Sequence, residues 1–545
     1  MVNARLKSCL AVLALAALVL GAVAALRGAE YDEQYTLFLT GGIARPVWPE
    51  TPFPAGDVRA LQAGHAGLAA IARDLRATDV HPPLYFWAVA LSRRLTGGGL
   101  FAARLFSVLC GLAALAAVAV IARNVGVPPA LAMLLTLGCY GFTYTGAIAR
   151  GFALAQALTL WGVSVLLAAE QRRWRAVAGG LLLGAATFAN YLAVFVAVGA
   201  LVTLGRALGA RFTPHPVEGG GWGEGWSHAR SVAVSTPPPN RLPQGEGEDS
   251  TATMRRGLLS CVLGMLPFLL ADLWFFVPQR NARAGQFPPF HLLGALQRLA
   301  RYAAANLFGG LPLYVGAAAQ QAVAGAVAGL TLACAALVAA RWRHIARPAA
   351  ASGLLAAAAA PPIGLLLLGL VFDNTPIELR YLVFATPFAA LLLAGALASL
   401  PRVPRRAAIA LLLTVQAAAL AGLMTRPETM QPARATAAGG IVLLPRGNDG
   451  VGIVGAFAIE SPPSERLLVV HRTEAPEKIL ARIGDVRHVV LALLAQDESS
   501  RDTLPVMRAA IAGPCWRQTA GGFNVLAFDR ICAGNPAWRA SRVSR

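Results

Sequence analysis

The stretch AEYDEQYTLFLT, residues 29–40, carries two neighbouring carboxylates directly after a long apolar segment. Asp32 and Glu33 are not required there for a helix to enter a bilayer, and the flanking Tyr31 and Tyr35 are typical of the lipid–water interface. Charged groups close to a membrane are costly, so such residues are functional candidates. Carboxylates suit a general base or a metal ligand. The pair therefore predicts a functional site at the end of the first membrane helix.

Further polar residues are predicted at the same membrane face, although they are distant from one another in sequence. They are Asp79 and His81 in DVHPPLYF, Arg150 at a helix end, Arg301 and Tyr302 in the loop 278–310, and Glu378 and Arg380 before YLVFATPF. Arginine presents a planar fork of donors that fits a phosphate. The set predicts binding of a substrate or a lipid phosphate, and Glu33, Asp79 or His81 could hold a divalent metal.

Each of these residues also has a plain structural interpretation. Asp32 and Glu33 could form a solvated helix end, and His81 could be a turn residue before two prolines. Arg150 and Arg380 could be interfacial side chains whose charged ends reach water. It is the conjunction of the residues on one face that favours a functional site.

Composition sets the class of protein that must position these residues. Of 545 residues, 56% are hydrophobic and 14% are charged, against about 25% charged in soluble proteins. Apolar segments of about 20 residues, enough to cross a bilayer, recur as far as residue 424. The sequence predicts an all-α polytopic membrane protein with about eleven transmembrane helices and one re-entrant or juxtamembrane helix.

The distribution of basic residues orients these helices. Arg5 and Lys7 place the N-terminus in the cytoplasm, so the first helix delivers Asp32 and Glu33 to the outer side. HPPLYFWAVALSRRL, residues 81–95, is too short for a comfortable crossing. When it is treated as a shallow or re-entrant helix, the later arginine-rich loops fall in the cytoplasm and the C-terminus lies outside.

The net charge of +20 does not indicate a nucleic-acid partner. Only Lys7 and Lys478 are lysines, and many of the arginines lie at the ends of apolar segments, where the positive-inside rule places them. The first apolar segment, from Cys9 to Leu26, could by itself be a signal peptide, but it lacks a clear cleavage site. A retained helix is the better interpretation.

Composition also divides the chain. Residues 1–425 are predicted to form a transmembrane domain, with a first periplasmic loop at 27–100. Within it, 210–256 is rich in Gly, Pro and Ser and is predicted to be a disordered cytoplasmic insertion. Residues 426–545 contain short apolar stretches separated by turn residues, which predict a small periplasmic α/β domain.

The cysteines fall into two groups. Five lie in apolar segments and are interpreted as packing residues, and no Cys/His cluster indicates a zinc site. Cys515 and Cys532 lie in the polar C-terminal segment at a spacing typical of a small closed loop. A disulfide between them requires an oxidising compartment, which agrees with the predicted outer location of the C-terminus.

The ordered set of segments resembles membrane glycosyltransferase family 39, which includes protein O-mannosyltransferases and the lipid A aminoarabinose transferases. The resemblance rests on the acidic pair, on HPPLYFW, on ARLFSVLCGLAALAAVAV, and on RYLVFATPFAALLLAG late in the chain. It covers roughly residues 5–425. The aminoarabinose transferases have Lys where this chain has His81, so their substrate is not carried over.

The resemblance implies a C-type glycosyltransferase fold in the bacterial inner membrane, with the active site and C-terminus in the periplasm. It implies a sugar donor on a polyprenyl phosphate, an envelope acceptor (lipid, glycan or protein) and contact with membrane lipid. By motif match Asp32 is the catalytic base, with Glu33 beside it. Arg150 and Arg380 are candidates for the phosphate on chemical grounds, since negative charge builds on the leaving oxygens in the transition state. The sequence itself requires no cofactor, although a divalent metal is possible, and the sugar, a hexose, a pentose or a uronic acid, is left open.

Other function classes would also place charged residues among membrane helices. A polytopic transporter or a flippase for lipid-linked sugars would gather them near the bilayer midplane, often on broken helices in two related halves. Here they are predicted at one face, and no repeat is visible in the sequence. A membrane polymerase or ligase would use the same outer loops and lipid-phosphate donors.

Overall fold

The computed structural model shows a mainly helical chain with one mixed β-sheet near its C-terminal end. It describes residues 2–78, 80–167, 173–210, 246–279, 287–315, 317–345, 348–425, 440–447, 450–493, 498–522 and 525–532. The helices up to residue 425 are Val2–Leu26, Glu33–Gly41, Ala55–Ala63, Leu68–Thr78, Leu84–Thr96, Leu100–Val125, Pro129–Gly138, Tyr140–Ala147, Phe152–Leu167, Arg173–Ala189, Ala193–Ala210, Glu246–Gln279, Leu292–Phe308, Leu311–Tyr314, Ala317–Ala340, Trp342–Ile345, Pro348–Phe372, Thr386–Ala398 and Arg402–Thr425, with a 3-10 turn at Leu379–Leu382. Most of the predicted insertion, residues 211–245, lies outside the described residues. Its last part, residues 246–256, was wrongly predicted to be disordered, because it continues the apolar helix Glu246–Gln279 towards its N-terminal end.

The chain is a multi-pass membrane protein. Six of the described helices are long and apolar enough to cross a membrane: Arg5–Leu26, Leu100–Val125, Arg255–Gln279, Ala318–Ala340, Ala350–Phe372 and Arg402–Thr425. Leucines such as Leu259, Leu263 and Leu270 are more than half exposed on one of these helices, which fits a lipid-facing surface. With the bent helix pair described below, the described residues contain up to seven such spans, so the total of about eleven crossings stays a prediction.

The apolar segment at residues 127–146 is not a single helix. Pro129–Gly138 and Tyr140–Ala147 meet at an angle of 73°. The side chain of Gln416 lies against Gly138, where a Cβ would overlap it, and its Nε2 donates to the carbonyl of Leu135 at 3.4 Å. A side chain that enters a helical hydrogen-bond ladder is a known cause of such a kink, and the break turns the chain towards residues 148–150.

The short apolar segment at 81–95 forms the helix Leu84–Thr96. With 13 residues, it is about 20 Å long, less than the thickness of a bilayer core. Its last turn holds Arg93, a buried guanidinium that donates to the carbonyls of Gln62 and Gly98 and to the hydroxyl of Thr40. Burial lowers the pKa of Arg93 to about 10. These bonds tie the short helix to the first loop.

The sheet contains six strands in the order β1-β3-β2-β4-β6-β5. The strands are β1 (Phe53–Pro54), β2 (Ile441–Pro445), β3 (Arg466–Val470), β4 (His488–Ala492), β5 (Trp516–Gly521) and β6 (Val525–Arg530), and the helices between them are Gly452–Glu460, Pro476–Ile483 and Glu498–Ala510. β2 is parallel to β3 and β4, whereas β1, β5 and β6 pair in antiparallel fashion. The C-terminal segment thus has the α/β character that its apolar stretches predicted.

The sequence did not predict that the first loop contributes a strand to the sheet. β1 belongs to this loop and pairs with β3, more than 400 residues later. Alternate residues of β2 point to opposite faces of the sheet, and each face packs in its own apolar core. Val442 and Leu444 pack in a core that includes Phe38 and Val58 of the first loop. Ile441 and Leu443 face the opposite side, towards the helices Pro476–Ile483 and Glu498–Ala510. The loop and the C-terminal segment therefore share one apolar core.

A disulfide closes the last hairpin of the sheet. Cys515 directly precedes β5, Cys532 lies two residues beyond β6, and their Cα atoms are 4.9 Å apart. The amide of Ile531 donates to the carbonyl of Cys515 at 2.9 Å. The structure joins the pair that the sequence predicted.

We expect the denatured, unreduced protein to react with an alkylating reagent at its five free cysteines and at Cys515 and Cys532 only after reduction. A loop closed across a separation of 17 residues contributes about 3 kcal/mol in the chain-entropy model. The double variant Cys515→Ser/Cys532→Ser should lower the free energy of unfolding of the C-terminal segment by about that amount. Mass spectrometry after export in cells with an oxidising pathway checks the bond, and alkylation of both residues without reduction would contradict it.

Candidate active site

Asp32 lies at the N-terminal end of the helix Glu33–Gly41 but does not cap it with its side chain. Its carboxylate instead forms an ion pair with Arg380, which belongs to the 3-10 turn Leu379–Leu382. The side chain of Asp32 is 20% exposed. A helix N-terminus favours a negative charge, so Asp32 is held as a carboxylate group that remains open to a reactant.

A second carboxylate shares the same arginine. Arg380 Nε lies 2.6 Å from Glu378 Oε2, and the side chain of Glu378 is 31% exposed. One guanidinium therefore faces two carboxylates. The sequence predicted Glu378 and Arg380 near Asp32, and the structure shows the direct contact between Arg380 and Asp32.

Arg150 approaches Asp32 from the other side. It is 3% exposed, and its Nη1 donates to the backbone oxygen of Asp32 at 3.3 Å. Its Nη2 lies 3.0 Å from His81 Nε2, and its guanidinium carbon lies 5.8 Å from the ring centroid of Tyr35. A guanidinium only donates, so His81 accepts through Nε2 and carries its proton on Nδ1. The contact brings His81 and Arg150, 69 residues apart, into one site.

Glu33, unlike the partly exposed Asp32 beside it, is completely buried. Arg104 Nε donates to Glu33 Oε1 at 2.7 Å, and Arg104 Nη2 donates to Glu33 Oε2 at 2.6 Å. The carboxylate also accepts the amides of Ala149 at 2.8 Å and Glu30 at 3.1 Å. Its oxygens are thus occupied by protein donors, which is the environment of a positioning group.

Arg104 completes this buried junction. It donates to the carbonyls of Ala24, Arg27 and Gly28 at distances of 2.9, 2.7 and 2.7 Å. The sequence prediction missed Arg104, although an arginine four residues inside an apolar helix, in FAARLFSVL, is the kind of intramembrane charge that signals a partner.

A third polar group lies at the end of the first helix. Arg27 Nε donates to Glu30 Oε1 at 2.6 Å, and the hydroxyl of Tyr144 donates to Glu30 Oε2 at 2.7 Å. Burial raises the pKa of Glu30, but the charge of Arg27 and the hydroxyl of Tyr144 outweigh that effect, so the pKa lies below its ordinary value. Glu30 therefore remains ionised and adds to the support of the loop.

Arg301 and Tyr302 were predicted in a loop at 278–310, but they lie in the helix Leu292–Phe308, which His291 caps at its start. Arg301 is exposed, and Tyr302 packs against the apolar group around Leu382. Asn306, which the sequence did not single out, donates to the carbonyl of Leu379 at 2.5 Å and accepts the hydroxyl of Thr386 at 2.9 Å. The helix thereby supports the turn that carries the arginine facing Asp32, whereas Arg301 is not in a described contact with the site.

Asp79 is one of the three residues that the sequence suggested as ligands of a divalent metal. Asp79 lies outside the described residues. Among the described residues, no group of three or more His, Cys, Asp or Glu side chains lies together in a way that could hold a metal ion.

The arrangement combines a proton acceptor with anion-binding groups. Asp32 has one arginine on its carboxylate and another on its backbone oxygen. Fixed cations beside a carboxylate stabilise negative charge that develops on a leaving group. The site therefore has the parts for deprotonating an acceptor while a phosphate departs.

Comparison with known proteins locates a family match in the middle of these elements. Residues 80–211 match the family model described as dolichyl-phosphate-mannose-protein mannosyltransferase. This segment contains His81, Arg104 and Arg150, and the match confirms over this length the family resemblance inferred from sequence. No curated protein sequence is significantly similar to the chain.

Solved structures of similar overall chain path are distant in sequence. ArnT from Cupriavidus metallidurans bound to undecaprenyl phosphate is 14% identical, with 95% of this chain and 97% of that chain covered and a TM-score of 0.45. AglB, an archaeal oligosaccharyltransferase from Archaeoglobus fulgidus in complex with an inhibitory peptide and a dolichol-phosphate, is 11% identical, with 92% and 71% covered and a TM-score of 0.44.

We expect Arg104→Ala to destabilise the protein strongly, because it leaves the carboxylate of Glu33 buried without its partner. Breaking a buried ion pair on one side costs about 3–5 kcal/mol. Thermal unfolding of the purified protein in detergent measures the effect. Lys478→Ala, which removes an ion pair whose two side chains are 53% and 78% exposed, is the control and should melt near the wild type. Equal melting of the two variants would show that the buried pair is dispensable.

Proposed function

From the family segment at 80–211, we propose that this chain is an integral-membrane glycosyltransferase. It moves a sugar from a polyprenyl-phosphate donor to an envelope acceptor, which is a lipid, a glycan or a protein. The observation that carries the proposal is the carboxylate of Asp32 in contact with Arg380, with Arg150 on its backbone oxygen. The family description, which names a dolichyl-phosphate sugar and a mannosyltransferase, supports the same chemistry.

In the proposed reaction Asp32 is the base. Its carboxylate takes the proton of an acceptor hydroxyl as that oxygen bonds to the anomeric carbon of the donor sugar. The bond from the anomeric carbon to the phosphate oxygen breaks, and the polyprenyl phosphate leaves with the bonding electrons. A direct displacement of this kind needs one base and one stabiliser for the phosphate.

Arg150 and Arg380 are proposed to bind that phosphate. Arg380 faces two carboxylates, so an arriving phosphate competes with Asp32 and Glu378 for its donors. Exchange of Arg380 from Asp32 to the phosphate frees the base at the moment when the donor is bound. His81, held by Arg150 at 3.0 Å, is proposed to contact the donor beside it.

Glu33 is proposed to position Asp32 rather than to touch a substrate, since its oxygens are occupied by Arg104 and two backbone amides. Arg301 is proposed to meet substrate or lipid from the exposed side of its helix. Tyr302, packed against the group around Leu382, is proposed to belong to the binding set from the inner side of the same helix. Asp79 remains part of the proposed binding set on sequence grounds alone.

The proposed location is a bacterial inner membrane, with the N-terminus in the cytoplasm and the site and C-terminus in the periplasm. In this proposal residues 1–425 form the catalytic membrane domain and 426–545 the periplasmic domain. The donor class, a hexose or a pentose on a polyprenyl phosphate, is to be identified by lipid analysis of a deletion strain, in which the unused donor accumulates.

Asp32→Asn is expected to abolish most turnover while the protein still folds, because the amide cannot accept the acceptor's proton. Loss of a general base costs about 10²- to 10⁴-fold in rate. The measurement is transfer from a polyprenyl-phosphate sugar by purified variants in detergent, where a transporter has no compartments to act between. Asp57→Asn, an exposed carboxylate of the same loop, is the matched control. Near-normal turnover of folded Asp32→Asn would remove Asp32 as the base.

Arg150→Ala and Arg380→Ala are expected to weaken use of the lipid donor more than use of the acceptor. Lysine at either position should rescue only part of the loss, since a point charge does not reproduce the bidentate fork. Steady-state kinetics with donor and acceptor varied separately measure this. Arg406→Ala, an exposed arginine on the last membrane helix, is the control. An alanine variant with normal donor kinetics would reduce that arginine to a structural role.

A further inference from the structure

The first loop packs against the membrane helices and also against the C-terminal segment of the chain. Glu33 and Arg104 tie the loop to the membrane helices. On another side the loop meets Gly452–Glu460, a helix of the C-terminal segment that follows β2. This helix lies outside the family match at 80–211, and the proposed mechanism does not use it.

Two glycines of the C-terminal helix, Gly452 and Gly455, contact side chains of the first loop. A Cβ on Gly452 would overlap the ring of Tyr31. A Cβ on Gly455 would lie 2.7 Å from Gln34 Oε1 and 2.9 Å from Phe38 Cε2, both closer than side-chain carbons normally approach. Tyr31, Gln34 and Phe38 follow one another at spacings of three and four, which place them on one helical face. Asp32 lies between Tyr31 and Gln34 in the sequence, and its side chain turns away from this face to Arg380.

Two sets of hydrogen bonds hold the C-terminal helix in that place. Glu460 Oε1 accepts the backbone amide of Ala29, three residues before Asp32, at 2.7 Å. Arg59 of the first loop donates to the carbonyls of Ala458 at 2.7 Å and Ile459 at 2.9 Å. These carbonyls belong to the last turn of the helix, where a cation also meets the negative end of the helix dipole.

We propose that the helix Gly452–Glu460 positions Asp32, with Gly452, Gly455 and Glu460 as positioning residues for the transfer reaction. The inference rests on the proposed function, because it treats Asp32 as the base. The close approach at the two glycines sets how far the start of Glu33–Gly41 lies from the C-terminal helix, and so where Asp32 meets Arg380.

The contact affects catalysis because the rate of proton transfer depends on the distance between the base and the reacting hydroxyl. A displacement of about 1 Å far from the chemistry can cost about 10²-fold in rate. Gly452 and Gly455 have no left-handed backbone, so alanine adds a methyl group there without straining the main chain. At Gly455 the added group meets the ring of Phe38 and the amide ends of Gln34 and Gln62, which are joined by a hydrogen bond of 2.7 Å. We expect these packed groups to shift the loop relative to the helix.

Gly455→Ala is therefore expected to lower kcat by about 10- to 10²-fold, while the KM for the lipid donor stays within about 2-fold of the wild type. Gly513→Ala is the matched control, since a Cβ there meets nothing within 4 Å, and it should leave both constants unchanged. Glu460→Ala, which adds no bulk and removes the acceptor of the Ala29 amide, should lower kcat in the same way. A general loss of folding would lower the active fraction and the melting temperature of Gly455→Ala as well.

A double-variant cycle isolates the contact itself. Tyr31→Ala removes the ring that a Cβ on Gly452 would overlap, so Gly452→Ala should lower kcat in the wild-type background and have little further effect in the Tyr31→Ala background. Equal effects of Gly452→Ala in both backgrounds would show that the ring contact does not transmit the change.

Hydrogen–deuterium exchange supplies a readout that does not depend on activity. Gly455→Ala should raise exchange of the amides at 29–41, and Gly513→Ala should not. If the wild type transfers no sugar, the proposed function fails, and the exchange result still decides whether this helix holds the loop. If the wild type transfers sugar and Gly455→Ala keeps its kcat and its exchange pattern, the positioning inference alone is overturned.

Discussion

The buried ion pair between Glu33 and Arg104 is the contact on which the rest of the site depends. Removing two such charges from water costs several kcal/mol for each, and good geometry with further hydrogen bonds must offset that cost. Here two amides complete the carboxylate and three carbonyls complete the guanidinium. The donors and acceptors come from the end of the first helix, the first loop, the helix Leu100–Val125 and the segment before Arg150. The pair therefore fixes four parts of the chain at one point.

The two neighbouring acids divide their roles because of helix geometry. Successive residues in a helix point in directions about 100° apart, so a carboxylate next to Glu33 cannot enter the same buried junction. Asp32 is directed to the partly exposed side, where Arg380 meets it. The same pair of letters thus yields one buried anchor and one accessible carboxylate, and the position of the second follows from the burial of the first.

The elements that could be predicted from the sequence are those whose signal is local. The apolar segments, the short helix after His81 and the α/β character of the last hundred residues follow from period and composition. The predicted gathering of His81, Arg150 and Arg380 beside Asp32 followed from orienting the helices by their basic ends, and the structure brings these four together. The break near Gly138, the partner of Glu33 and the origin of β1 depend on side chains far away in sequence, and no local pattern encodes such contacts.

The origin of β1 has a consequence for how the protein is organised. A strand of the first loop completes the sheet, and apolar residues of that loop fill one face of it. The C-terminal segment therefore cannot form this core by itself, and the loop cannot keep its shape without the sheet. Two anchors of different chemistry result: an ion pair towards the membrane helices and an apolar, close-packed contact towards the sheet. Asp32 lies between them, so its position is determined jointly by the membrane part and the C-terminal part of the chain.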